Sequence, residues 1–168
     1  MLKLIKLRDK RGITLIEVMV SLVFLSTGLI PLFGVILSSV KLSIRVKNNL
    51  VATNMAQEGI EVVRALRDKA WMDSAPYDRD LPSGDGLVSW DSDTIIPYDS
   101  SSYMKLDPAT GVYSQTVGTD TIFKRRIDIT KVPSPCNCEV KVTSEITWLE
   151  NQNNRVLTVE DHLFDWKQ

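Results

Sequence analysis

The chain has 168 residues, with 20 Lys plus Arg against 21 Asp plus Glu, and 43% of residues are hydrophobic. That length suits one domain, with at most an appendage, and the near-zero charge argues against a basic nucleic-acid face. Two Cys and one His argue against a disulfide scaffold and a His-rich metal site, and 8 Gly with 7 Pro argue against collagen-like or disordered chains.

Charge is unevenly placed. Residues 1–12 read MLKLIKLRDKRG, with Lys3, Lys6, Arg8, Lys10 and Arg11 against the single acid Asp9. The next 28 residues, Ile13 to Val40, hold one charge, Glu17. An apolar run of about 20 residues spans a bilayer as a helix. The positive-inside rule keeps the basic end cytoplasmic and sends the rest across. A secretory signal peptide has an apolar stretch of only about 7–15 residues, so this run is too long for one. A plain signal anchor explains everything except Glu17. A lone carboxylate in an apolar run is costly in lipid unless paired or neutral. It either lies close enough to the interface to reach headgroups, or is kept for a partner cation.

The string Gly12-Ile13-Thr14-Leu15-Ile16-Glu17-Val18 resembles the type IV prepilin signature. The resemblance implies a dedicated peptidase and methyltransferase that cuts between Gly12 and Ile13 and methylates the new amine of Ile13. It implies that Glu17, then the fifth residue, pairs with a neighbouring subunit's N-terminal amine. Most members carry Phe where this chain has Ile13, which is a departure from the pattern. The chemistry agrees with the motif. Gly12 lacks a Cβ and lets a protease approach the extended backbone. A desolvated amine and carboxylate stabilise each other only when correctly paired, so the pair would act as a register device for docking. Loss of the leader would leave 156 residues, with 15 basic against 20 acidic side chains and a charge of −5.

Gly28, Pro31 and Gly34 interrupt the apolar run. Pro removes a backbone donor and kinks a helix, and Gly costs roughly 1 kcal/mol relative to Ala. A helix kink is expected here, with local melting as the alternative. Beyond Lys41, residues Leu42, Val46, Leu50, Thr53, Ala56, Ile60, Val63, Leu66 and Ala70 recur at spacings of three or four, one face of a helix. One helix from Ile13 to about Ala70 is predicted. Glu58 and Glu61 read as a solvated face, with Glu61–Arg64 and Arg64–Asp68 as supporting pairs. The string from Ala52 to Arg64 also resembles a stretch of minor pilin-like proteins.

Residues 71–107 hold eight Asp, no Glu, and only Arg79 and Lys105 as bases. Turn chemistry dominates at Ala75-Pro76, Pro82-Ser83-Gly84-Asp85-Gly86, Ile96-Pro97 and Asp107-Pro108. Trp71, Tyr77, Trp90, Tyr98 and Tyr103 are expected to pin this loop to a sheet. Asp85, Asp91 and Asp93 suggest calcium, but no EF-hand spacing is present, and turn-forming aspartates explain them better. Three alternating runs follow, Ile122–Val132, Glu139–Leu149 and Arg155–Phe164, with Asn151 to Asn154 as the turn of a final hairpin. Gly111 to Val117 is a candidate fourth strand. Cys136 and Cys138 lie two apart, where a bridge is strained, so a disulfide and free thiols both stay open.

The fold class is α+β: a long N-terminal helix, half transmembrane and half amphipathic, packed on a small antiparallel sheet, pilin-like. The segments are a cleaved leader (1–12), a membrane or filament-core helix (13–40), an amphipathic helix (41–70), a surface loop (71–110) and the sheet (111–168). No nucleophile, base and orienting group can be assembled, and His162 reads as a surface residue, so no enzyme, cofactor or metal is expected. The resemblance implies a structural subunit precursor of a type IV pilus or type II secretion pseudopilus, most simply a minor pilin. Its partners would be other pilin or pseudopilin subunits, the peptidase, an inner-membrane assembly platform and the lipid bilayer, with no nucleic acid. It would sit in the cytoplasmic membrane as a single-pass precursor with its head outside, then in the filament. The alternatives are a tip-located binding or adhesion pilin, and a single-pass anchored protein outside any filament.

Overall fold

The computed structural model describes residues 12–133 and 138–166. The chain divides into two units, Met1–Ile44 and Arg45–Gln168. One helix, α1 (Leu15–Met72), carries Pro31 inside it and keeps helical geometry through Gly28, Pro31 and Gly34. In the first unit, α1 is the only described element and none of its residues is buried.

Helix α1 stops for a local reason. Ser74 adopts a left-handed φ of 56°. Its N–H bonds the Trp71 carbonyl at 3.1 Å, and the Ala75 N–H bonds the Ala70 carbonyl at 2.9 Å. These are the two reverse bonds of a Schellman cap, and Pro76 follows, where a helix cannot continue.

The second unit is α+β, as expected. Its main sheet is five-stranded and antiparallel, built from β1 (Gly84–Leu87), β2 (Ile96–Pro97), β6 (Phe123–Val132), β7 (Glu139–Glu150) and β8 (Asn153–Phe164) in the order β2-β1-β6-β7-β8. A separate three-stranded sheet joins β3 (Lys105–Leu106), β4 (Tyr113–Ser114) and β5 (Thr119–Asp120) in the order β4-β3-β5. The three long strands lie where the alternation places them. The final turn is tighter than the four residues expected. Asn151 and Gln152 alone turn the chain, at φ 49° and 67°, while Asn153 and Asn154 already pair in β8. Two consecutive residues at positive φ match the right-handed twist of the flanking strands. The candidate strand at 111–117 shrinks to β4 and joins the small sheet rather than the main one.

Segment 71–110 contributes three short strands and the core residues Leu81, Leu87, Val88 and Met104. Among its aromatics, Tyr77 is buried and Trp71 packs edge-on to Trp166 at 5.0 Å, whereas Trp90, Tyr98 and Tyr103 are exposed. Tyr103 nonetheless lies under the Lys124 ammonium of β6 at 4.4 Å, and aliphatic side chains and the ion pair of Asp78 with Lys131 at 2.7 Å help to hold the segment.

One face of β6, β7 and β8 packs on the second half of α1. Burial along α1 begins at Ala52; Val46 and Leu50, which share the predicted stripe, stay exposed. The core falls into two apolar clusters. One gathers Ile60, Val63, Leu66, Leu81, Val88 and Ile127; the other gathers Ala52, Met55, Ala56, Phe123, Ile146 and Trp148.

Arg125 lies between them, with 0% of its surface exposed. Its Nη1 donates to the Met55 carbonyl at 3.0 Å and to Glu58 Oε1 at 3.1 Å, and its Nη2 donates to the Val88 carbonyl. Burial pushes its pKa down, and Glu58 opposes that shift. Glu58 is therefore a partner for a buried cation rather than part of a solvated face. Gly59 makes room for this arrangement. A Cβ there would stand 2.8 Å from Ile127 Cδ1, 2.9 Å from Ser144 Oγ and 3.3 Å from Arg125 Cδ. Arg64 bonds Glu61 at 2.6 Å and Asp161 at 2.8 Å, tying α1 to β8, while Asp68 pairs with Arg67 rather than with Arg64. Glu150 accepts from Arg45 at 3.2 Å and from Arg155 at 3.0 Å. Cys138 is disulfide-bonded, and Cys136 lies outside the described residues.

Arg125→Met keeps most of the volume but strips donors from two buried carbonyls, and should destabilise the head by about 2–3 kcal/mol. Gly59→Ala should cost about 1–3 kcal/mol by overpacking, offset by at most about 1 kcal/mol of helix propensity. Urea unfolding of the full chain, followed by near-UV circular dichroism, measures both; an unchanged midpoint for Arg125→Met would contradict the role given to it.

Candidate functional site

The residues singled out by motif lie at the start of α1. Gly12, Ile13 and Thr14 precede the helix without regular structure, and Ile13 is 75% exposed. Thr14 is the helix cap. Its Oγ1 accepts from the Glu17 N–H at 3.3 Å, and its carbonyl accepts from the Val18 N–H at 3.2 Å. Thr14 and Glu17 thus occupy the first and fourth places of a Thr-x-x-Glu capping sequence. Glu17 also places negative charge in the first turn, where the helix dipole favours it. This local explanation for Thr14 and Glu17 was missed by pattern reading, although the spacing was in view. Among the described residues, Glu17 makes no ion pair.

Gly12 answers to no packing constraint. A Cβ built on it meets nothing within 4 Å, and the same holds for Gly28 and Gly34. Gly59 is the contrasting case, since its neighbours leave no such space. Among the described residues, nothing demands glycine at position 12.

The helix after the cap is apolar all round and exposed all round. Residues 15–44 include Leu15, Ile16, Leu22, Phe24, Phe33 and Leu37 among their exposed hydrophobics. The helix is long and apolar enough to cross a membrane by length and composition. Four of its hydroxyls bond its own backbone. Ser21 donates to the Glu17 carbonyl at 2.7 Å, Ser26 and Thr27 to the Val23 carbonyl at 3.0 and 2.8 Å, and Ser38 to the Val35 carbonyl at 2.9 Å. Self-satisfied hydroxyls suit an environment without water, where an unpaired polar group is costly.

The remaining candidates do not converge on a catalytic or metal site. Asp93 bonds Lys69 at 2.8 Å, and Asp85 faces Arg126 at 3.5 Å. Both carboxylates answer basic side chains rather than each other. Among the described residues, no group of three metal-ligating side chains forms. His162 sits on the edge strand β8, exposed, with Nδ1 against Glu139 and Nε2 at 3.0 Å from Glu160. Those carboxylates, Glu139 first, raise its pKa above the ordinary histidine value.

No family model, no curated protein and no solved structure matches the chain. The fold and the helix start therefore carry the functional argument alone.

The histidine bridge gives a signed pH dependence. A group whose pKa is raised on folding contributes stability that is full below its unfolded value of about 6.5 and is lost as pH rises through the folded value. His162→Gln should lower the unfolding temperature at acid pH and leave it unchanged in alkaline buffer. Equal losses at both ends would assign the effect to packing instead of charge.

Proposed function

We propose that this chain is the precursor of a type IV pilin-like structural subunit, a minor pilin or a secretion pseudopilin, and not an enzyme. The observation that carries this reading is the start of α1. An exposed Gly12-Ile13 step without regular structure is followed at once by a capped helix whose residues up to Val40 carry no charge but Glu17 and are mostly apolar, and whose second half packs on an antiparallel sheet.

A membrane peptidase needs its scissile bond extended and reachable, and Gly12-Ile13 lies outside the helix. Cleavage there would expose an amine at Ile13, four positions from the Glu17 carboxylate. In lipid, the apolar half is solvated by acyl chains. In a filament, neighbouring helices would replace them, favourably only where side chains pack and the amine–carboxylate pair forms. The monomer would wait in the cytoplasmic membrane with its head outside, and pass from there to a filament through an assembly platform.

Two rivals make different demands. A single-pass anchored protein would keep its N-terminus intact. A tip-located binding subunit would be processed in the same way but would act through a ligand site on the head.

The mass of the mature protein is the first test. The expected species lacks residues 1–12 and carries one added methyl group; an unprocessed chain would end the pilin reading. Gly12→Ala should abolish processing while leaving the unfolding midpoint of the head unchanged, because its Cβ meets nothing. Glu17→Ala should be cleaved normally and lost from filaments, and its normal incorporation would remove Glu17 from assembly.

A further inference from the structure

A cavity of about 340 Å³ opens on the head between the turn at 89–92 and the segment 107–117. Trp90 and Asp91 stand on one side of it, and Asp107, Thr110, Val112 and Val117 on the other. Trp90 is 57% exposed. A large ring held in water on a rigid support is more informative than an apolar residue on a loose loop.

The support is rigid. The Ser89 N–H donates to Ser92 Oγ at 2.7 Å, and the Ser92 N–H returns to the Ser89 carbonyl at 3.0 Å. Ser89 is itself buried, and its Oγ accepts from the Gln115 N–H at 2.8 Å, which ties the two walls together. Across the cavity, Ser114 Oγ accepts from the Val117 N–H at 2.9 Å. The Asp107 carboxylate accepts from the Ala109 N–H at 2.9 Å and from the Thr110 hydroxyl at 2.8 Å. These bonds hold its carboxyl below the usual carboxylate range. Asp91 has no hydrogen bond or ion pair with any described residue. The lining contains no Lys, Arg or His; Lys105 reaches the Thr116 carbonyl at the rim, at 3.5 Å.

We propose that this cavity binds an organic cation, an alkylammonium or guanidinium group, over the Trp90 ring and against the Asp91 and Asp107 carboxylates. An indole face attracts a cation through its quadrupole, more strongly than the other aromatic side chains do. Two carboxylates with no basic residue in the lining complement positive charge and repel anions, so a phosphate-bearing ligand is disfavoured. A neutral apolar guest would use the ring and the two valines but would gain nothing from Asp91. The walls are preorganised, so little ordering opposes binding. This inference stands apart from the filament reading, because it concerns the dispersed chain.

The test is a ligand-observed NMR titration of the full chain in a non-ionic polyoxyethylene detergent, whose headgroups carry no competing cation. The probes are choline, N-acetyl-lysine amide, and 3,3-dimethyl-1-butanol, the neutral isostere of choline. The cations should bind saturably, and the isostere should bind at least about tenfold more weakly. Trp90→Ala should abolish binding, Asp91→Asn should weaken it severalfold, and added salt should weaken it further. Tighter binding of choline marks a free ammonium ligand; tighter binding of the lysine amide marks a side chain of a partner protein. Both variants alter exposed residues, so their unfolding midpoints should match the parent. Equal binding of the isostere, no effect of Asp91→Asn, or no saturable signal from either cation would overturn the proposal.

Discussion

The head depends on one buried polar layer between two apolar clusters. Arg125 of β6 enters the core opposite Gly59 of α1, beside Ser144 of β7, and binds the helix through Met55 and Glu58 and the residue just after β1 through the Val88 carbonyl. A buried cation is costly unless its donors are answered; here both terminal nitrogens have partners, while the buried Nε has none. The carbonyls of Met55, on α1, and Val88, just after β1, lie far apart in the chain, so answering both ties the helix to β6 and to the end of β1. Apolar packing on either side supplies most of the stabilisation. The arginine layer selects one register among the several that the apolar stripes alone would allow.

The single helix meets two different demands. From Ala52 onward, small residues such as Ala52, Ala56 and Gly59 bring it close to the sheet, and its buried face is narrow. Before that, large aliphatic residues surround it and stay exposed among the described residues. Such a surface is far larger than the apolar patches that soluble monomers tolerate. By length and composition a helix with that surface can cross a membrane.

The long strands were legible because a half-buried sheet writes period two into the sequence. Phe123, Ile127, Ile129 and Val140, Val142, Ile146 show it plainly. The short strands β1 to β3 were not legible. Each has two to four residues, too few to show alternation, and β1 also depends on hydrogen bonds from the distant β6. Arg125 fell on the inward phase of its strand, yet an arginine there reads as an exception until Gly59 is seen opposite it. The motif at Gly12, Ile13 and Glu17 was visible in sequence, and the structure adds the Thr14 cap and the open space at Gly12. The Trp90 cavity was hidden, since one turn at 89–92 and another at 114–117 become neighbours only through the Ser89–Gln115 bond.

The hairpin of β7 and β8 carries a consequence for timing. Its two strands pair over twelve residues each and are joined by only two, Asn151 and Gln152. Local pairing of this kind closes a short loop and forms sooner than the distant contacts around it. Yet this hairpin follows α1 with the segment 73–138 between them. During synthesis, the apolar half of α1 is made before any strand of this sheet, and the easiest pairing comes after its other strands. The amphipathic half of α1 must wait for β7 and β8 before they give it a surface. The head should therefore close only once that hairpin has been made.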